Sequence, residues 1–251
     1  MTWALVSLTS FEPFGYRAPM HLEPQQDGPN QEAHIPRDAV RIPEIVPIFA
    51  LPGVVFFPRT YLPLHIFEPR YRAMVIDAAQ EGQCIGMVLL KEGWETDYYG
   101  TPPIYTRGCV GRMLHVERLS DGRSNILLQG LERFDVQEQF TDRPYRRGRI
   151  ALKPLTGDST LEPRLRARLL AQVQRYIATR DNSHVWQEFL GQAVSDESLI
   201  QTISSHFDCT PLERQFLLEA ETLAQQAGRV IDLIQFHLHE SSGSTSTKGW
   251  G

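Results

Sequence analysis

Along this chain the spacing of apolar positions changes once, near residue 158. Before that point apolar residues come in short runs and alternations, as strands require; after it they recur every third or fourth position, as helices require. Ile45 to Phe49, Leu62 to Phe67 and Ile85 to Leu90 are predicted strands, the last a continuous apolar run of the kind buried on both faces. Gly108 to Leu119 and Arg123 to Gln129 flank Ser120-Asp121-Gly122, and an Asp-Gly turn between two apolar-bearing runs predicts a hairpin. Phe134 to Phe140 and Tyr145 to Leu152 add two strands, joined through Thr141-Asp142-Arg143-Pro144. One helix interrupts the series. Glu68-Pro69 opens it with proline in the first turn, Tyr71, Met74, Val75, Ala78 and Ala79 follow at helical spacing, and Gly82 stops it. Pro52, Pro58 and Pro63 each remove a ladder donor, so the apolar residues around them are expected in short edge segments wrapped about a core. About six or seven short strands with one early helix predict a small closed or partly closed barrel.

In the second half, Asp158 to Glu162 form a polar linker, and Pro163 starts a helix with Leu165, Leu169, Val173, Tyr176 and Ile177 on one face. Ser195 caps a stretch carrying Leu199, Ile200, Ile203 and Phe207. Thr210-Pro211-Leu212-Glu213 has the form of a capping box, and Leu223, Ala227, Val230, Ile231, Ile234 and Leu238 make the final stripe. The expected fold class is therefore α+β, with a β-barrel over residues 43–157 and a helical bundle over 158–240. Residues 1–42, rich in Pro, Gln and Asp, are expected as a poorly ordered lead-in, with Met20 an alternative start, and 241–251 as a flexible tail.

The densest stretch, Ile48 to Met74, reads IFALPGVVFFPRTYLPLHIFEPRYRAM. Its Pro63-Leu64-His65-Ile66-Phe67-Glu68-Pro69-Arg70-Tyr71-Arg72 run resembles the signature of the free-standing form of the Lon protease N-terminal substrate-binding domain, and the resemblance extends over residues 44 to 240. It implies a PUA-like pseudo-barrel followed by helices, in which Pro63, Leu64, His65, Phe67, Glu68, Pro69, Arg70 and Tyr71 set the helix against the barrel and name no reacting group. It also implies a non-catalytic module for unfolded or hydrophobic protein segments, acting as an adaptor to an ATP-dependent protease. The full-length Lon protease carries an ATPase module and a Ser-Lys peptidase domain behind this region, and neither pattern occurs here.

Composition narrows the alternatives. A chain of 251 residues, 41% hydrophobic, can bury a sizeable core, and a net charge of −5 argues against a general polyanion binder. Cys84, Cys109 and Cys209 are odd in number and widely spaced, which gives no disulfide framework and no zinc knuckle. The opening MTWALVSLTS is short, without a basic leader or a cleavage pattern, so no signal peptide and no membrane span are expected, and the expected location is cytoplasmic.

Candidate chemistry is sparse. A phosphate-cradling P-loop needs Lys after Gly, and Lys91, Lys153 and Lys248 each follow another residue. No nucleophile can be paired with a base and an orienting group, so no catalytic residue, metal or cofactor is assigned. His237 and His239 lie on different helical faces; His206 and Cys209 are better spaced but read as packing groups at a helix end. His65 reads as a histidine hydrogen-bonded within the barrel, and Arg70 and Arg72 as solvated or paired to acidic loops. Arg143, Arg146, Arg147 and Arg149 form the one basic cluster, read as charge that protects an exposed edge strand, with an RNA backbone as the alternative partner. The sharper candidate is the Gly- and Pro-bounded loop from Lys91 to Pro103. Its Trp94, Tyr98 and Tyr99 either anchor peptide contacts, or Trp94 folds back as a lid over the barrel end while Tyr98 and Tyr99 straddle a strand start. Phe56 and Phe57 are either core or a patch for unfolded chain. A protein-binding module is the leading reading; an RNA-binding barrel and a peptidase in its own right are the two others.

Overall fold

The computed structural model describes residues 41–179 and 194–243. The expected lead-in, apart from 41–42, and the end of the expected tail lie outside the described residues. The described residues from Pro43 onward form one compact unit. Its strands are β1 (Ile45–Leu51), β2 (Tyr61–Ile66), β3 (Cys84–Leu89), β4 (Arg107–Arg118), β5 (Ser124–Phe140) and β6 (Arg147–Leu152), with α1 (Pro69–Gln80) between β2 and β3. Among the described residues four helices follow: α2 (Pro163–Ile177), α3 (Asp196–His206), α4 (Pro211–Leu218) and α5 (Leu223–Gly243).

The strand order is β2-β5-β4-β3-β1-β6, and β6 pairs again with β5, so five strands close a ring from which β2 branches. Closure is possible because β5 is one strand of 17 residues where the sequence suggested two. Gly130 to Arg133, which carry no clear alternation, stay paired to β4 through a bulge at Leu131: Gly111 faces Gly130 while Val110 faces Glu132. The first part of β5 receives β2, from Ser124 to Gln129, and the last part receives β6, from Phe134 to Phe140.

Two expectations about edges are corrected by this topology. β1 is an interior strand, parallel to β3 on one side and antiparallel to β6 on the other. Its Pro47 is harmless because the pairing with β3 begins one residue later, at Ile48. β6 is not an exposed edge either, since β1 and β5 flank it. Its arginines therefore do not guard an edge; Arg147 binds Asp142, and Arg149 binds Glu44 and Glu138. Pro63 does lie on an edge, in β2, where a missing donor costs nothing.

The chemistry of the chain also sets its helices. Pro69 and Pro163 occupy first turns, Ser195 accepts from the Ser198 N–H, and Thr210 and Glu213 complete the capping box expected of them. α5 runs to Gly243, three residues into the expected tail.

Phe56 and Phe57 are corrected from a candidate surface patch to core: 3% and 0% of their surface is exposed. Phe56 joins the barrel core with Leu64, Ile66, Met74, Met113 and Leu128, while Phe57 joins the helical core with Leu169, Ile203, Leu217 and Val230. The crossing segment that carries them is bound to β5 by the Arg59 N–H to the Gly130 carbonyl (2.9 Å) and the Gly130 N–H to the Thr60 carbonyl (2.8 Å). A second tie is Arg133, 1% exposed on β5, which donates to the carbonyls of Leu218 and Ala220 at the C-terminal end of α4, where a cation suits the helix dipole.

Gly130 has no room for a side chain, because a Cβ there would sit 2.1 Å from the Phe57 carbonyl oxygen, a backbone atom that cannot rotate away. Gly130→Ala is expected to destabilise the fold by roughly 1–3 kcal/mol, read as a lower urea midpoint. Gly228→Ala, in α5 with nothing within 4 Å of the added carbon, is expected to stabilise the fold by roughly 0.5–1 kcal/mol, read as a higher urea midpoint.

Candidate functional site

At the end of the barrel where β3 passes into β4, the chain leaves the sheet for residues 91–103 and returns through a bridge between Leu90 and Ile104. The Lys91 N–H bonds to the Pro103 carbonyl (2.9 Å), so the loop closes on itself at its base. Gly93, with φ of 82°, turns the chain into a short 3-10 segment, Trp94–Asp97. The Asp97 carboxylate then accepts from the Thr101 N–H at 3.0 Å. This tight local bonding presents Trp94, Tyr98 and Tyr99 as a chain of edge-on rings, 5.3 Å and 5.1 Å between centroids.

The loop folds back onto the sequence motif, which the spacing of the chain did not foretell. Arg70, at the start of α1, donates from Nη1 to the Tyr98 carbonyl (3.0 Å) and from Nε to Glu68 (3.0 Å). Its guanidinium lies 4.6 Å from the ring centroids of both Tyr71 and Tyr98. Arg70 is thus paired with Glu68, in the connection between β2 and α1, and is stacked between tyrosines as well. Glu68 does not cap α1 with its side chain but accepts from the Tyr98 hydroxyl at 2.5 Å. On the far shoulder of the loop, Arg146 donates from Nη2 to the Pro102 carbonyl (2.8 Å). Two arginines, one from α1 and one from the segment before β6, clamp the loop at Tyr98 and at Pro102.

Between the clamps lies a cavity of about 240 Å³, walled by Ile48, Ala50, Arg70, Tyr71, Leu90, Tyr98–Pro102, Thr141 and Arg143–Arg146. Four tyrosines, 71, 98, 99 and 145, contribute to it, and its size suits one or two side chains rather than a larger ligand. Tyr99 is 83% exposed, while Tyr71 is buried with its hydroxyl on the Ala50 carbonyl (3.3 Å). Tyr145 donates to Asp77 at 2.7 Å, and Asp77 and Glu81 also hold Arg143. Burial, and then the hydrogen bonds to Glu68 and Asp77, push the phenols of Tyr98 and Tyr145 up, Tyr98 to about 12. Both are neutral donors at neutral pH.

Of the residues singled out from the sequence, Glu68, Arg70, Tyr71, Trp94, Tyr98 and Tyr99 are brought together here, although Trp94 contacts Tyr98 without lining the cavity. Phe56 and Phe57 are elsewhere, in the two cores. Pro63, Leu64 and His65 lie on β2, where His65 bonds across the strand pair to Asn125 (2.7 Å), and Phe67 is 42% exposed beyond its end. The cavity residues whose place the sequence reading missed are Arg146 and Tyr145, which were grouped with Arg147 and Arg149 as one strand but precede β6 and wall the cavity. Among the described residues no three His, Cys, Asp or Glu side chains group as a metal site, and no helix is long and apolar enough to cross a membrane.

Tyr98 ties the loop to α1, and the fold favours its neutral form. The contribution is complete below the ordinary tyrosine pKa of 10.0 and disappears as pH rises through about 12. Tyr98→Phe is therefore expected to remove the step near pH 12 from the tyrosinate absorbance titration near 295 nm, leaving the still later rise of Tyr71 and Tyr145, and to loosen the loop, seen as faster amide exchange over residues 94–102, with little change in far-ultraviolet dichroism.

Comparison with known proteins agrees with this architecture. The sequence model of the ATP-dependent protease La (LON) substrate-binding domain matches residues 45–235. The chain is 27% identical over 196 residues to Lon protease 2 of Myxococcus xanthus, covering 77% of this chain and 24% of that protein. It is 35% identical over 109 residues to the Lon protease of Anaeromyxobacter dehalogenans, covering 43% and 13%. The chain thus spans about a quarter or less of these relatives' length. Its fold is similar to a Lon N-terminal domain protein from Xanthomonas campestris (TM-score 0.56, 18% identity, 75% of this chain and 97% of that one). It is also similar to the N-terminal domain of the Mycobacterium avium complex Lon protease (TM-score 0.58, 15% identity, 77% and 99%). On the family match across 45–235, this chain belongs to the Lon substrate-binding domain family.

Proposed function

We propose that the chain is a non-catalytic binding module that recognises unfolded or apolar segments of other proteins at the cavity under the aromatic loop. The observation that carries this reading is the tyrosine-walled cavity itself, with Tyr99 exposed and its backbone held by side-chain clamps rather than by sheet. Tyrosine and tryptophan give large contact area at low entropic cost, and a loop fixed at two shoulders can admit a side chain without disturbing the barrel. The family description as a substrate-binding domain supports the same reading, and the relatives' name suggests delivery of such segments to an ATP-dependent protease, with the chain working in the cytoplasm.

The two other readings draw less support. For nucleic acid, Arg143, Arg147 and Arg149 are each engaged by carboxylates, which leaves little of the basic cluster to follow a phosphate backbone. For a peptidase, Lys91 sits over the Tyr105 ring (5.5 Å) and Lys153 reaches Asp135 (3.9 Å), neither placed to activate a serine.

The test is binding of immobilised protein to reduced, carbamidomethylated lactalbumin against the native, folded form. The unfolded form is expected to bind and the folded form not, and Trp94→Ala/Tyr98→Ala, checked for folding by dichroism, is expected to bind about tenfold more weakly. Equal binding of folded and unfolded forms, or an unaffected double variant, would count against the loop as the site.

A further inference from the structure

We propose that the cavity accepts a carboxylate of the bound segment, held between Arg70 and Arg146. The inference rests on the peptide-binding reading and adds to it the chemistry of the group that enters. Three arginines, 70, 143 and 146, line the cavity and no carboxylate does. The nearby acids are already committed: Glu68 to Arg70 and Tyr98, Asp77 to Tyr145 and Arg143, Asp97 to the Thr101 N–H. Of the three, Arg70 is paired with Glu68 and Arg143 with Asp77 and Glu81, whereas Arg146 forms no ion pair among the described residues.

The hydrogen bonding points the same way. Each clamp arginine gives one terminal nitrogen to the loop, Nη1 of Arg70 to Tyr98 and Nη2 of Arg146 to Pro102. The other terminal nitrogen of each, Nη2 of Arg70 and Nη1 of Arg146, is buried with no partner among the described residues. A buried donor nitrogen without an acceptor is costly, and Arg70, although its Nε is paired with Glu68, still repels the Arg146 cation on the same cavity wall. Burial lowers the pKa of Arg146, and the charge of Arg70 lowers it further. One planar carboxylate offers two acceptor oxygens and a negative charge, which answers both costs at once, while the tyrosine rings cover its aliphatic stem. Neither nitrogen is open to solvent, so entry requires part of the wall to give. The loop from Tyr98 to Pro102 is the part held by side chains rather than by strand pairing. A carboxylate fits better than a nucleic-acid phosphate because Arg147 and Arg149, the continuation a backbone would need, are already paired with acids.

The experiment is calorimetric titration of the full chain with three acetylated peptides: Leu-Phe-Ala-Phe with a free C-terminus, the same peptide as its amide, and the amide with Glu in place of Ala. The free acid or the Glu peptide is expected to bind the wild type roughly tenfold or more tighter than the plain amide. In Arg146→Gln the ratio of acid to amide affinity is expected to fall to about one, with the amide itself bound more weakly because the Pro102 clamp is lost. Arg146→Lys, which keeps the charge but loses the fork, is expected to retain only part of it, and Arg143→Gln at the rim to weaken it slightly. Preference for the free acid alone assigns a chain terminus, and equal preference for the Glu peptide assigns an acidic side chain; both support the site. Equal binding of all three peptides overturns the carboxylate while leaving peptide binding intact, and no binding of any peptide overturns both. Displacement of the bound acid by a short single-stranded RNA at lower concentration than by free peptide acid would overturn it in favour of phosphate.

Discussion

The length of β5 is the constraint on which the other parts rest. A strand of 17 residues can be paired by β4 along its course, by β2 at one end and by β6 at the other, and only this double use of one strand closes the ring. The bulge at Leu131 lets it bend enough to do so. The same bend puts Gly130 under the Phe57 carbonyl and aims Arg133 at the end of α4, so the strand that shapes the barrel also fixes where the helices dock. Closure places β6 in the interior of the sheet, and this in turn holds the segment just before it, with Arg146, against the aromatic loop.

The site draws on this frame without being part of its hydrogen-bonded ladder. Arg70 projects from the first turn of a helix whose Tyr71, Met74, Val75 and Ala78 are sunk in the barrel core, so its base is rigid. Its head is held by π-faces, the Glu68 carboxylate and one loop carbonyl. The free energy of the loop's docking is therefore mostly electrostatic and directional, and the interactions that seat Tyr98 also keep the guanidinium from water. A rigid shelf with a polar latch is an arrangement suited to a surface that must accept varied partners, since the apolar walls supply contact while the latch can exchange one acceptor for another.

Much of the frame was legible in the chain. The change of period near residue 158 separated strands from helices, Pro69, Pro163 and Pro211 marked helix starts, and the Asp121-Gly122 turn set the β4–β5 hairpin. The family resemblance carried by Pro63 to Arg72 named the domain that the match over 45–235 shows. What was missed depended on partners distant in sequence. Nothing local says that Gly130 to Arg133 continues a strand, because its bulge is set by β4; nothing local makes Phe57 face helices more than a hundred residues away. The site divides along the same line. The aromatic loop and the motif stood out separately by composition, but their union at Arg70, and the part played by Arg146, arise only when β6 closes the ring. Of four arginines clustered in sequence, Arg143, Arg147 and Arg149 are ion-paired while Arg143 and Arg146 wall the cavity, a distinction made by tertiary position rather than by residue type.

Phe56 and Phe57 are neighbours in the chain that face opposite ways, one into each core. Because a single peptide unit carries both, neither core can be repacked without moving the other. The polar stretch at Asp158 to Glu162 is thus a seam in sequence but not in energy: a gene cut there would sever the helices from a phenylalanine they cover and leave the barrel with an apolar side chain facing water. Exchange of modules between relatives of this family has to carry the crossing segment and the helices together, as one heritable block.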